Sequence, residues 1–188
     1  MKAYLASRNA HKARELERLL PGWEIGVLAT DDYPPETGAT YYENARGKAL
    51  FARERTPVDG WVLGEDSGIE VDGLHGGPGL RSSRSAAGDE VGWMLRALDG
   101  IDGDGRRARY VSELVAIGPD GQEVRGTGTL SGHIAAAASG SEGFGFDPVF
   151  VPSGEERTVA QLGNEWKREN SHRANAARAL LAALRETG

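Results

Sequence analysis

The stretch WVLGEDSGIEVDG, residues 61–73, decides the fold. Its first half is an unbroken apolar run closing on two acids, the pattern of a strand buried on both faces of a parallel sheet. In open α/β sheets the C-terminal end of such a strand opens into a functional loop, so a strand is predicted over 61–66 with Glu65 and Asp66 at its end. Four carboxylates, Glu65, Asp66, Glu70 and Asp72, then fall within ten residues that also hold three glycines. A solvated acidic turn and a site for a hard metal account for them equally well. Neighbouring side chains of a strand point to opposite faces, so Glu65 and Asp66 serve one site equally only if the chain turns there. A carboxylate beside a metal can orient or deprotonate water for attack on phosphorus.

Upstream, TYYENARGKALFARER (40–55) opens with Thr40 and has Glu43 three residues on, a capping-box spacing that predicts a helix to about Arg55, stopped by Pro57. Farther upstream, KAYLASRNAHKARELERLL (2–20) reads as strand, tight turn and helix, with Asn9 as the cap. WEIGVLAT (23–30) reads as a second strand before the acidic, proline-bearing loop DDYPPETG (31–38). Downstream, a helix is predicted over 88–98 and two or three antiparallel strands over 107–135 around the turn PDGQ. A glycine-rich loop (140–147), a short strand VFVP, a polar loop and a last helix over about 171–185 follow. Helices mixed with parallel-type and hairpin-type strands give an α/β class with a mixed sheet. Neither a G-x-G-x-x-G nor a Walker A motif is present, which excludes a Rossmann dinucleotide site and a P-loop.

At 188 residues, with 39% hydrophobic and 27% charged side chains, the chain is expected to fold as a single domain over 1–188. The absence of cysteine rules out thiolate metal sites and a cysteine nucleophile, leaving oxygen or histidine ligands for any metal. A net charge of −6 argues against a nucleic-acid polymer as partner, though a small anion needs only a few local donors. No apolar run approaches membrane-spanning length, and MKAYLASRNAHK lacks a signal-peptide pattern, so no membrane partner and a cytoplasmic location are expected.

Three further segments carry candidate chemistry. SRNAHK (7–12) lies where a strand hands over to a helix, and the N–H groups there attract phosphate, with Lys12 adding a point charge; a plain capped helix explains it too. GGPGLRSSRS (76–85) offers Ser82, Ser83 and Arg84 as phosphate-compatible donors. In GFGFDP (143–148), Phe144 and Phe146 could stack on a base or belong to the core. Lys167, His172 and Arg173 flank the start of the last helix with Ser171 as cap, where positive charge opposes the dipole and an anionic or carbonyl-bearing ligand would compensate.

In order along the chain, SRNAHK, ENA, EDSGI, GGPG, GFGFDP and SHR resemble the inosine triphosphate pyrophosphatase family, also called Ham1-like. The resemblance spans residues 7 to 173. It implies a long mixed β-sheet with flanking helices forming two lobes around a nucleotide cleft, commonly in a homodimer. It also implies Mg²⁺-dependent hydrolysis of non-standard purine nucleoside triphosphates (ITP, dITP and XTP) to the monophosphate and pyrophosphate. By motif, Ser7, Arg8, Asn9, Ala10, His11 and Lys12 would hold the triphosphate. Asp66 would be proton acceptor and metal ligand, Ser67 a substrate contact, and Glu43 and Glu65 further metal ligands. Phe144, Gly145, Phe146 and Asp147 would form the base platform, completed by Lys167, His172 and Arg173. The chain departs from the family pattern at Arg8, where glycine is frequent, at Arg81 and Ser85, where tyrosine is frequent, and at Asn170, where an apolar residue is usual.

Overall fold

The computed structural model describes every residue except 31, 34, 57, 58, 87 and 188. The predicted stop at Pro57 and part of the 31–38 loop therefore lie outside the described residues. Seven strands form one sheet in the order β2-β1-β3-β5-β6-β7, with β4 paired to β3. They are β1 (Lys2–Ala6), β2 (Glu24–Val27), β3 (Trp61–Val71), β4 (Gly77–Pro78), β5 (Arg107–Ile117), β6 (Glu123–Ile134) and β7 (Phe150–Pro152). The helices are α1 (Ala10–Leu19), α2 (Tyr41–Arg53), α3 (Ser82–Ser85), α4 (Glu90–Ala97), α5 (Val159–Asn170) and α6 (His172–Thr187). β1 runs parallel to both β2 and β3, whereas β4 and β7 pair antiparallel, so the sheet is mixed as expected.

Two compact units divide the chain: Met1–Asp66, Ser112–Gly128 and Arg173–Gly188 form one, and Ser67–Val111 with Thr129–His172 form the other. In the first unit, Leu16 and Leu20 from the α1 region and Ala176, Ala177 and Leu180 of α6 pack with Leu5, Leu63, Leu114 and Ala116. Ala45, Ala49 and Ala52 of α2 pack with Ala6, Val62, Val115 and Ile117. The strand residues alternate between these two clusters with the period of two that pleating imposes. The second unit is built on Ile69, Val71, Met94, Leu98, Tyr110, Ile134, Val149 and Phe150, with Phe146 buried among them.

Glycine lets α2 approach β3 closely. A Cβ on Gly64 would stand 1.9 Å from the Ala45 carbonyl oxygen and 2.7 Å from the Ala49 nitrogen, both backbone atoms that cannot swing away. Gly64→Ala is therefore expected to cost about 3 kcal/mol or more, at the upper end of overpacking penalties. Thermal unfolding of the variant checks this; an unchanged midpoint would show that α2 can slide off the strand.

Four expectations need correction. The central strand does not end at Asp66 but continues to Val71, because 67–71 keeps pairing, with Glu70 opposite Pro78 and Val71 opposite Gly77. The second strand stops at Val27. Part of the polar loop before the last helix is α5, started by a capping box in which Thr158 accepts from the Gln161 N–H and the Gln161 side chain accepts from the Thr158 N–H. Its apolar periodicity is interrupted at Gly163, where φ is 90°. Ser82, read as a phosphate donor, is buried, accepting from the Ile69 N–H at 2.9 Å and donating to the Gly79 carbonyl at 2.6 Å.

Candidate active site

The continuation of β3 through the acidic pair has a direct chemical consequence. Because the strand stays extended, Glu65 joins Leu63 on the side of α1 and α6, while Asp66 joins Val62 and Gly64 on the side of α2. The two carboxylates therefore have separate partners.

Glu65 is 1% exposed and bound on every side. Lys12 meets its Oε2 at 2.7 Å, while the Arg173 guanidinium donates to Oε1 at 3.1 and 3.2 Å, as does the Ser112 hydroxyl at 3.0 Å. Burial opposes its charge, but the Arg173 guanidinium and the Lys12 ammonium outweigh burial and hold the carboxyl well below the usual range. Arg173, 2% exposed, also pairs with Glu15. It is spent on Glu65 and Glu15, an ion-pair hub that sequence reasoning assigned to the base pocket.

Asp66 is 4% exposed. Its Oδ2 accepts from Asn44 Nδ2 at 3.0 Å and its Oδ1 from Lys48 Nζ at 3.0 Å. Burial pushes its pKa up, against the pull of Lys48 and Lys12. The partners come from one face of α2, since Asn44 and Lys48 are four residues apart. Lys48 also donates to the Glu65 carbonyl at 3.0 Å and pairs with Glu36. Burial lowers the Lys48 pKa, but Asp66 and Glu36 overcome this and keep it raised.

Glu36 is the carboxylate gathered to Asp66, through their shared lysine. Glu43 is instead committed to the start of α2, where its Oε2 accepts from the Ala39 N–H at 2.6 Å. Thr40 Oγ1 accepts from the Glu43 N–H, so the expected cap forms with its return bond shifted one residue. Asn44 Oδ1 accepts from the Gly38 N–H at 2.8 Å, tying the loop that carries Glu36 to the residue that orients Asp66. Among the described residues no three His, Asp or Glu side chains group as a metal cage. Two carboxylates, with water and phosphate oxygens completing the shell, match the donor set Mg²⁺ prefers, and the cation of Lys48 already lies against both.

In the same unit, Asn9 caps α1 as predicted, its Oδ1 accepting from the N–H groups of His11 and Lys12 at 2.9 and 3.2 Å. Ser7 Oγ accepts from the Asn9 N–H at 3.1 Å, and Arg8 and His11 are exposed. Ala10 opens the helix, and its side chain lies outside the described residues.

In the second unit the GFGFDP loop closes on Asp147. Its Oδ2 accepts from the Phe144 N–H at 2.9 Å and from Lys167 Nζ at 2.6 Å, and Tyr110 donates to Oδ1 at 3.4 Å. Lys167 Nζ lies 4.0 Å from the centroid of the half-buried Phe144 ring, while Phe146 belongs to the core. Gly145 takes φ 64°, and a Cβ on Gly143 would stand 2.2 Å from Asp147 Oδ2. His172 stacks on Tyr110 with centroids 4.5 Å apart. Ser67 follows Asp66 on β3, half-buried.

Sequence reasoning missed Glu36, Ser112, Tyr110 and Glu15, and gave Asn44 and Lys48 no role. The four-residue spacing of Asn44 and Lys48, on the helix face that carries Ala45, Ala49 and Ala52, was a usable signal; Glu36, in a loop, had none.

Comparison with known proteins identifies the family. The Ham1 family model matches residues 3–183. The dITP/XTP pyrophosphatase of Symbiobacterium thermophilum is 42% identical, covering 98% of this chain and 96% of its own. That of Deinococcus deserti is 39% identical over 97% of this chain and 88% of its own. Among solved structures, the Staphylococcus aureus Ham1 protein superimposes with a TM-score of 0.85 at 33% identity, covering all of both chains. A nucleoside-triphosphatase / dITP/XTP pyrophosphatase from Mycobacterium abscessus gives 0.74 at 38% identity, covering 98% of this chain and all of that one. With its sheet order, its buried acidic strand and these full-length matches in agreement, the chain belongs to the Ham1 family.

Proposed function

We propose that this protein hydrolyses dITP, XTP and ITP to the nucleoside monophosphate and pyrophosphate with Mg²⁺, acting as a homodimer. The observation that carries the chemistry is the buried Asp66, fixed by Asn44 and Lys48, with Glu36 on the same lysine. The names of the full-length relatives supply the substrate class.

Asp66 and Glu36, the two carboxylates that share Lys48, would hold Mg²⁺. When bound, it would neutralise charge on the phosphate oxygens and acidify water. Asp66 accepts a proton from the attacking water as its oxygen bonds to the α-phosphorus; the bond from that phosphorus to the α,β-bridging oxygen breaks, and pyrophosphate departs with the electron pair. Burial suits Asp66 to this task, because a carboxyl whose pKa is raised is a better proton acceptor than a solvated one. Lys12 and Lys48 offset the phosphate charge, and Glu65 keeps Lys12 aimed. Glu65 and Glu43 are thereby positioning groups in this scheme, each already engaged by protein donors.

Lys167 and the Phe144 ring, packed together in the second unit, are groups suited to a 6-oxo purine. An ammonium donating to a 6-oxo oxygen recognises hypoxanthine and xanthine, whereas the 6-amino group of adenine presents donor against donor and leaves both unpaired. The deciding experiment is a panel of dITP, XTP, ITP, ATP and GTP with Mg²⁺, with the first product identified. Pyrophosphate from dITP and XTP, at least tenfold faster than from ATP, is expected, and chelation should abolish it. Orthophosphate as first product, or equal turnover of ATP, would overturn the assignment. Sedimentation gives the oligomeric state. Among the described residues no helix is long and apolar enough to cross a membrane.

A further inference from the structure

α5 is two helical segments joined at Gly163, where φ is 90° and ψ is 174°. The second segment, 164–170, carries Lys167, whose ammonium suits a 6-oxo purine. A helix start leaves N–H groups without intrahelical acceptors, and Gly163, standing at the cap position, has no side-chain oxygen to offer them. Lys167 also puts a positive charge close to that start, where the helix dipole opposes it.

Glu142, the residue before GFGFDP, supplies what is missing. Its Oε2 accepts from the Asn164 N–H at 2.9 Å and from Asn164 Nδ2 at 2.8 Å, so a carboxylate from the neighbouring loop caps the segment from outside the helix. The Glu142 N–H meanwhile donates to the Ala160 carbonyl at 3.3 Å, in the first segment. One residue thus spans the kink, its backbone on one segment and its side chain on the other. The loop it stands on is fixed to α5. Thr158 Oγ1 donates to the Ser139 carbonyl at 2.6 Å, the Ala160 N–H donates to the Asp147 carbonyl at 3.1 Å, and a Cβ on Gly140 would stand 2.5 Å from the Ala160 carbonyl carbon. Asp147 and Phe144, the two groups that Lys167 meets, lie on this same loop. Trp166 keeps the second segment docked, its Nε1 donating to Glu155 at 3.1 Å and its ring packing on the core of this unit. Loss of the cap is therefore expected to loosen the start of the segment without undocking it.

We propose that Glu142 is a positioning residue for purine recognition: by fixing the angle between the two segments of α5, it holds the Lys167 ammonium against Asp147 and Phe144, where a 6-oxo oxygen would meet it. This deepens the proposed function and rests on Lys167 being the donor to the base.

The test compares dITP with the triphosphate of purine 2′-deoxyriboside, which lacks the 6-oxo oxygen, on the full-length protein with Mg²⁺. Glu142→Ala should lower kcat/KM for dITP about fivefold, the loss of one helix cap, almost entirely through KM, while the analogue changes less than about twofold. Glu142→Gln, whose amide oxygen can accept both Asn164 bonds, should restore dITP turnover to within about twofold of wild type. Gly163→Ala, which puts a Cβ 3.2 Å from Glu142 Oε2 at a left-handed φ, should show the same split between substrates. Equal losses on the two substrates, or no recovery in Glu142→Gln, would overturn the proposal. Hydrogen exchange reads the cap without turnover: the amides of 164–167 should exchange about fivefold faster in Glu142→Ala and at the wild-type rate in Glu142→Gln. Unchanged protection in Glu142→Ala would overturn the proposal as well. A wild type indifferent to the 6-oxo oxygen would instead overturn the base role of Lys167, a failure that exchange, which needs no nucleotide, keeps apart from failure of the cap.

Discussion

Asp66→Asn is expected to reduce pyrophosphate release by about a thousandfold while the protein stays folded and still binds dITP. The asparagine keeps the shape of the aspartate and one oxygen for the Asn44 amide or the Lys48 ammonium, so the contacts that orient this position survive in part. What disappears is the proton acceptor, whose contribution to a transfer step is typically about 10²–10⁴-fold. The charge opposite Lys48 disappears with it, and with it half of the two-carboxylate set. Steady-state release of pyrophosphate, read beside calorimetric binding of dITP, separates the effects. Turnover within about threefold of wild type would remove Asp66 from the role of base. The companion Glu36→Gln should weaken binding of Mg²⁺ without removing the base, shifting the half-saturating metal concentration upward more than it lowers the maximal rate.

Arg173→Met is expected to be the most destabilising single change in the ion-pair hub. Methionine replaces the volume approximately but leaves the buried Glu65 carboxylate with Lys12 and Ser112 alone. Removing one partner of a buried pair costs about 3–5 kcal/mol, because the other charge remains desolvated. For a chain of this size that lowers the unfolding midpoint by on the order of 10 °C. Adding Glu65→Gln to Arg173→Met should recover part of the loss, since the uncompensated charge is then gone. The sign of the pH dependence follows from the direction of the Glu65 shift. Its folded pKa is held below the ordinary carboxylate value by Arg173 and Lys12, so its contribution is fully present above that ordinary value, about 4.3, and is lost as pH falls through the folded value. The stability gap between wild type and Arg173→Met should therefore be widest at neutral pH and narrow toward acid. A gap independent of pH would assign Arg173 a packing role alone.

The local signals in the sequence were strong wherever one residue satisfies its own neighbours. Asn9 capping α1 and Thr40 capping α2 needed only adjacent backbone donors, and both form as the residue pattern predicts. The capping box of Thr158 and Gln161 carried the same kind of signal, and α5 was legible from it, although the glycine at 163 hides the helix from a periodicity search. The site was legible in its parts and illegible in its pairings. Glu65 and Asp66 adjoin in sequence, and alternation along a strand separates them, but whether the chain turned after Asp66 depended on strand pairing with residues 77 and 78.

Sequence by itself determined the α/β class and the family, because apolar periodicity, capping residues and ordered motifs act over short spans of chain. Only the tertiary structure decided which partners each carboxylate meets. Arg173 reaches Glu65 across 108 positions of sequence and Asn44 reaches Asp66 across 22, while Glu36 is joined to Asp66 through Lys48. A buried charge takes its role from whichever opposite charges the fold brings within hydrogen-bonding distance, and no local pattern encodes that choice.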